Sequence, residues 1–212
     1  SLLLLSTLTA VYLLDQLSLP VSKDSVFVIE PGSSLSTITK RLTREDLLPV
    51  NNIAFKAYAI LTRDTGSIQA GQYQLKAGMP SQDVLALFRS GKVIQHRITF
   101  PEGLRVQEWL ERLQQAPYLE SKTTGMTRED LRQFLGLATE LEGSLFPDTY
   151  QYTLGDSDLD ILELAVRKMK EVLGEEWSGR AMTVISTPFD ALVLASMIEK
   201  ETGYGPDREK IA

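Results

Sequence analysis

The sequence contains no cysteine. That excludes a disulfide framework, a zinc–thiolate site and thiol nucleophilic catalysis. Histidine is almost as scarce. His96 is the only one, so a multi-histidine metal site or a histidine-relayed triad would have to be built around one imidazole. Its setting between Gln95 and Arg97 reads as that of an ordinary surface histidine. Blocks of positive charge are missing too. Lys and Arg number 22 against 28 Asp and Glu, a net charge of −6 spread along the chain. With no basic stripe, nucleic acid is not an expected partner.

What is present suits a globular chain of one large or two small domains: 212 residues, 43% hydrophobic and 24% charged. Residues 1–14 carry no charge and are mostly apolar, and Asp15 ends the run. A spanning helix needs roughly 20 apolar residues. The run is therefore read as the outer part of an N-terminal transmembrane helix whose beginning lies before Ser1. The competing reading is the apolar stretch of a secretory signal, but Ser18 to Ser22 offers no small-x-small cleavage pattern. Residues 15–24 then form a juxtamembrane linker.

From Val26 the pattern changes. Val26 to Ile29 is a strand-like run, Pro31-Gly32 breaks it, and Leu35, Ile38 and Leu42 follow at helical spacing. The unit recurs at Tyr73 to Leu75 with Gly78, and at Ile98 to Phe100 with Gly103. Six residues after each glycine stand Ile38, Val84 and Trp109, and ten after stand Leu42, Phe88 and Leu113. A glycine at each turn suits a positive φ. Asn52 to Leu61 reads as another helix. Residues 25–96 thus form a small α+β module whose element order resembles the LysM class of glycan-binding folds. Residues 97–212 read as mainly helical, with helices over 104–115, from Thr127 to Leu135, over 158–173 with Gly174 as a stop, and from Thr187-Pro188 onward. The fold class is α+β.

Two segments carry candidate chemistry. Ala191 to Ile198 is apolar but for Ser196, which predicts a helix buried on most sides, and Glu199-Lys200-Glu201-Thr202 follows. On a helix Glu201 continues the stripe Ala191–Leu194–Ile198. Glu199 lies about 200° around the axis, so the two do not form a facing acid–base pair. An apolar surround and the negative end of the helix would both favour the protonated form of such a carboxylate, which is what a general acid requires. The bland alternative is the solvated end of a core helix. The second segment, Leu141 to Tyr152, is read as a shaped loop. In it Phe146, Tyr150 and Tyr152 could stack on sugar faces, and Glu142 and Asp148 could bond hydroxyls. The bland alternative is a turn packed by aromatics.

Taken in order, Leu141-Glu142-Gly143-Ser144-Leu145-Phe146-Pro147-Asp148-Thr149-Tyr150 and Ala195-Ser196-Met197-Ile198-Glu199-Lys200-Glu201-Thr202 closely resemble the endolytic murein transglycosylase (YceG-like) family. Glu30-Pro31-Gly32, Ala70-Gly71-Gln72-Tyr73 and Phe100-Pro101-Glu102-Gly103 resemble it too, so the likeness covers nearly the whole chain. The resemblance implies a single-pass protein of the bacterial inner membrane, held by its N-terminal helix and facing the periplasm or outer surface. It implies a LysM-like subdomain over 25–96 and a catalytic domain over 97–212 that extends beyond Ala212. It also implies endolytic cleavage of the β-1,4 bond between N-acetylmuramic acid and N-acetylglucosamine in peptidoglycan strands, leaving a 1,6-anhydro end. Peptidoglycan synthases are the implied protein partners. The family's catalytic glutamate matches Glu201. Glu142, Phe146, Asp148, Tyr150 and Glu199 are the candidate substrate-binding residues. Neither metal nor cofactor is called for.

Two other readings compete. One is a membrane-tethered, non-catalytic glycan-binding scaffold for cell-wall synthases. The other is a hydrolase pairing Glu201 with Glu142 or Asp148, as two-carboxylate glycosidases do.

Overall fold

A computed structural model describes residues 11–12, 15–16, 18–48, 51–61, 68–180 and 185–201. The chain divides into two units, Ser1–Gln95 and His96–Ala212. The apolar run at 1–14 falls almost wholly outside the described residues. Among the described residues no helix is long and apolar enough to cross a membrane.

The first unit contains strand β1 (Ser25–Ile29), helices α1 (Leu35–Arg44) and α2 (Asn52–Leu61), strand β2 (Gly71–Leu75) and helix α3 (Ser81–Ser90). β1 and β2 pair antiparallel, with Phe27 opposite Tyr73. Their inward residues meet the apolar faces of the helices in one core holding Phe27, Ile38, Leu42, Phe55, Tyr73 and Phe88. Phe88 stacks on Phe27 with centroids 5.7 Å apart and takes the edge of Tyr73 at 5.0 Å. The buried Tyr73 hydroxyl donates to the Gln69 carbonyl at 2.7 Å, which satisfies the one polar group its ring brings inside. Arg41 lies over the Phe27 ring and donates to the Val28 carbonyl at 2.8 Å. Ser34 caps α1 by accepting from the Thr37 N–H.

The second unit contains β3 (His96–Thr99), α4 (Val106–Gln115), α5 (Arg128–Phe134), β4 (Thr149–Tyr152), α6 (Asp158–Gly179) and α7 (Pro188–Glu201). β3 and β4 pair antiparallel, with Ile98 opposite Tyr150. Phe100 lies flat on Trp109 at 3.7 Å between centroids, and Tyr150 approaches both rings at 6.1 and 6.2 Å. This aromatic cluster joins Leu113, Leu131, Leu145, Ile161 and Leu162 in the core. A carboxylate anchors the other side. Buried Asp158 accepts from the backbone N–H groups of Lys122 and Thr123 and from the Thr123 hydroxyl at 2.6 Å. It thereby fastens the 120–126 loop to the first turn of α6.

The strand–glycine–helix echo holds in both units. Gly32, Gly78 and Gly103 all have positive φ. The paired positions Ile38/Leu42, Val84/Phe88 and Trp109/Leu113 are all buried. The mixed α+β architecture agrees with the sequence, as do the capping box of Thr127 with Asp130 and the Thr187–Asp190 cap before Pro188.

Three expectations are corrected. Helix α6 does not stop at Gly174 but continues to Gly179. One interior glycine costs a helix about 1 kcal/mol, and the residues Glu175-Glu176-Trp177 continue it with no proline to interrupt. The 141–152 segment is not all loop, because β4 occupies its end. Tyr150 and Tyr152 alternate inward while Thr149 and Gln151 face out, a period-2 pattern that takes hold only once β3 pairs with it. Helix α7 is not buried. None of its residues is, and Phe189, Val193 and Met197, one stripe four residues apart, stand 51%, 42% and 59% exposed. An all-round apolar composition calls for cover, and no described element covers that stripe.

Candidate functional site

The second unit gathers three of the singled-out segments at one place. Glu142, in the connection between α5 and β4, turns its carboxylate to the start of α4. There Oε1 accepts from the Val106 N–H at 3.1 Å, and Arg128 stands 3.9 Å from Oε2. A carboxylate at a helix N-terminus meets unbonded N–H groups and the positive end of the helix dipole. The next residue, Gly143, has φ +79° and faces α7 so closely that a Cβ there would sit 3.2 Å from Leu192 Cδ2. A side chain at that position would press on α7 and strain the turn together. At the other end of α7, Lys200 Nζ donates to the Gly103 carbonyl at 3.1 Å, across 97 residues of sequence. The Phe100–Gly103 turn, the Glu142-Gly143 turn and the Glu199-Lys200-Glu201 run are thus tied to one another through α4 and α7.

The two glutamates of α7 point apart, as the helix spacing predicts. Glu199 is half-buried and Glu201 is exposed. Among the described residues no desolvating apolar surround encloses Glu201, just as no described element covers the apolar stripe of α7. Between α6, the start of α7 and the Glu142-Gly143 turn lies a mostly apolar hollow of about 290 Å³, lined by Val166, Met169, Leu173, Phe189 and Leu192.

The other sequence candidates form a second group. Lys168 of α6 makes an ion pair with Asp148, and its ammonium sits 5.1 Å over the Phe146 ring. The Lys168 hydrogen bond, with the Thr149 N–H bond behind it, holds the Asp148 carboxyl below the usual carboxylate range. Tyr150 donates its hydroxyl to the Phe146 carbonyl at 2.6 Å and is only 7% exposed. Burial, with the Asp148 charge adding to it, pushes its phenol well above the ordinary value. The expectation that Tyr150 and Tyr152 present their rings to sugars is corrected here. Both belong to the core, because the β3–β4 pleat turns alternate residues inward. This group borders a groove of about 470 Å³ between β4 and α6. Among the described residues no set of three His, Cys, Asp or Glu side chains is disposed to hold a metal ion.

The YceG-like family model matches residues 27–212. The chain belongs to the YceG-like family. It is 26% identical over 215 residues to a protein of Bacillus subtilis (strain 168) named endolytic murein transglycosylase, with 91% of this chain and 59% of that protein covered. The chain thus spans somewhat under two thirds of that relative's length. Among solved structures it is similar to a YceG-like protein from Listeria monocytogenes, at 22% identity and a TM-score of 0.39, covering 88% of this chain and 67% of that one.

In this YceG-like chain two cations have no local sequence signature of their partners. Lys200 stands between two glutamates, and its carbonyl partner lies 97 residues back, beyond the reach of any local pattern. Lys168 sits among charged neighbours on α6, 20 residues from Asp148. Its only signal was that a lysine there falls on the same helix face as Leu164, three to four residues being one turn.

Proposed function

We propose that this YceG-like chain takes part in endolytic cleavage of peptidoglycan glycan strands, with Glu201 as the acid and base. The observation that carries the reading is the convergence just described. The Glu142-Gly143 turn lies against Leu192 of α7, the helix that ends in Glu201, and the Gly103 turn is hydrogen-bonded to Lys200 of the same helix. Family membership and the name of the Bacillus subtilis relative supply the substrate class.

The proposed chemistry needs one carboxyl group. Protonated Glu201 gives its proton to the glycosidic oxygen as the bond to the muramic acid anomeric carbon breaks. The carboxylate then takes the proton of the sugar's own 6-hydroxyl, whose oxygen closes on that carbon. The products are a 1,6-anhydro end and a new 4-hydroxyl end, with no water consumed. Glu201 is open to solvent. A glycan strand lying over the end of α7 would exclude that water and favour the protonated acid. Lys200 donates to the Gly103 carbonyl, which fixes the last turn of α7 beside that turn. Glu199, on another face, supports the strand or the helix. Glu142 fixes α4, and Phe146 and Asp148 border the substrate path.

The same proposal includes a LysM-like glycan-binding role for residues 25–96, supported by the order strand, helix, helix, strand with antiparallel strands. It includes a catalytic domain over 97–212, an N-terminal anchor at 1–14 in the bacterial cell membrane with the rest facing outward, and cell-wall synthases as partners. The test is Glu201→Gln in the intact protein, digesting purified glycan strands and resolving the ends by mass spectrometry. The variant should stay folded and form no anhydro ends. Undiminished anhydro product would overturn the assignment, and ordinary reducing ends from the unmodified protein would favour a hydrolase.

A further inference from the structure

The groove between β4 and α6 has features the cleavage chemistry does not use. One wall is a sheet edge. Phe100 N–H donates to the Asp148 carbonyl at 2.9 Å, which makes Ile98 and Tyr150 the next hydrogen-bonded pair of the β3–β4 register. Thr149 and Gln151 therefore turn their backbone groups to the outer edge. The Thr149 N–H is taken by its neighbour Asp148 at 2.6 Å. The Thr149 carbonyl and both backbone groups of Gln151 have no hydrogen-bond partner among the described residues. The opposite wall is one face of α6, with Leu164 and Val172 as its apolar floor and Arg167, Glu171 and Glu175 on its rim. Lys168 is committed to Asp148, whereas Arg167, Glu171 and Glu175 make no ion pair with any described residue. The rim thus runs from one uncommitted cation to two uncommitted carboxylates.

We propose that this groove binds the short peptide stem carried by the glycan strand, as an added strand along β4, with a stem carboxylate at Arg167 and a free stem amine at Glu171 and Glu175. The proposal rests on the glycan-cleaving reading above and extends it to the other half of the substrate. Three points carry it. An open edge with one donor and two acceptors is the recognition element for an extended peptide and offers little to a sugar ring. Arg167 and Glu175 are eight residues apart on α6, about 12 Å along the helix axis. An extended peptide covers that distance in about three to four residues at roughly 3.3 Å each, so the rim charges suit a short peptide that carries a carboxylate and a side-chain amine within that length. The charges also have an order, which sets the direction in which the peptide lies.

The experiment titrates the isotope-labelled intact protein with a synthetic tripeptide stem whose third residue carries a free side-chain amine, and with the same peptide acetylated on that amine. The expected result is amide shifts at Thr149 to Gln151 and along the 164–175 face of α6, with the acetylated peptide binding more weakly. Arg167→Glu should weaken binding about fivefold, the loss of one exposed ion-pair contact. Glu171→Gln with Glu175→Gln should abolish the preference for the free amine. Absence of shifts at millimolar peptide, or affinities unchanged in both variants, overturns the proposal. Equal binding of an unrelated all-L peptide with the same charges also overturns it, assigning the edge to a protein segment. Stem binding by a protein that makes no anhydro ends would support the groove and sink the cleavage reading, so the two failures are distinguishable.

Discussion

Replacing Asp158 by Ala tests the account of the second unit most directly. Asp158 is 1% exposed, and its carboxylate gathers the Lys122 N–H at 2.9 Å, the Thr123 N–H at 3.1 Å, the Thr123 hydroxyl at 2.6 Å and the Leu159 N–H at 2.9 Å. Leu159 N–H belongs to the first turn of α6 and can find other partners. Thr123 is itself buried, so its N–H and hydroxyl would be left unsatisfied. Each buried orphan costs about 1–3 kcal/mol, and bonds to a charged acceptor contribute about 1.5–3 kcal/mol without adding fully. The expected loss is about 3–4 kcal/mol, in the range reached by broken buried networks. Both tryptophans, Trp109 and Trp177, lie in His96–Ala212, so urea unfolding followed by tryptophan fluorescence reads this unit alone. With a urea slope of about 2 kcal/mol/M the midpoint should drop by about 1.5–2 M. Asp158→Asn, which keeps one acceptor and the shape, should fall between Ala and the original residue. A shift under about 0.5 M for Asp158→Ala would refute the reasoning, since it would mean that the loop does not depend on this carboxylate.

Gly143→Ala combines a left-handed backbone with a methyl 3.2 Å from Leu192. It should cost about 1–2 kcal/mol and reduce the proposed glycan cleavage more than a Leu192→Ala change of similar stability, as compared by unfolding midpoint and rate of anhydro-end formation. Burial raises the phenol of Tyr73, Tyr150 and Tyr152 above the ordinary value of 10.0. Their contribution to stability is full below pH 10 and is lost as pH rises beyond it, because the unfolded chain ionises first. Unfolding midpoints measured between pH 8 and 11.5 should therefore hold and then fall, and Tyr150→Phe should flatten the fall. Asp148 titrates below its ordinary value of 3.8 because of Lys168. The stability it gives is present above that value and lost as pH falls through its lower folded value, so Asp148→Asn should reduce the acid-side slope of stability against pH. An unchanged slope would show the Lys168 pair to be solvated away.

Much of the scaffold was legible because it is written in short-range terms. The offsets of Ile38, Val84 and Trp109 from their glycines place three helix faces correctly, and all three glycines have the positive φ that their turns require. Thr127 with Asp130 and Thr187 with Pro188 mark helix starts that the structure keeps. What failed were judgements about cover and pairing. The apolar letters of α7 predict burial, yet Met197 and Phe189 stand more than half exposed, because burial depends on a neighbour that the helix's own sequence does not specify. Tyr150 read as a ligand-facing aromatic, and pairing of β4 with β3, some 50 residues away, turned it inward. The helix-wheel separation of Glu199 from Glu201 was legible for the opposite reason: it depends on nothing but the helix itself.

The Lys200–Gly103 bond spans 97 residues, which makes it among the most non-local contacts of its unit. The entropy of closing so long a loop must be offset by core packing before a single surface hydrogen bond can hold. The end of α7 should then be set in place late, after the aromatic cluster and the Asp158 anchor have formed. A chain emerging from the ribosome, or one caught half-folded, carries Glu201 on a helix end that nothing orients. If Glu201 is the acid proposed above, its placement for chemistry waits on the completion of folding, without any separate inhibitor.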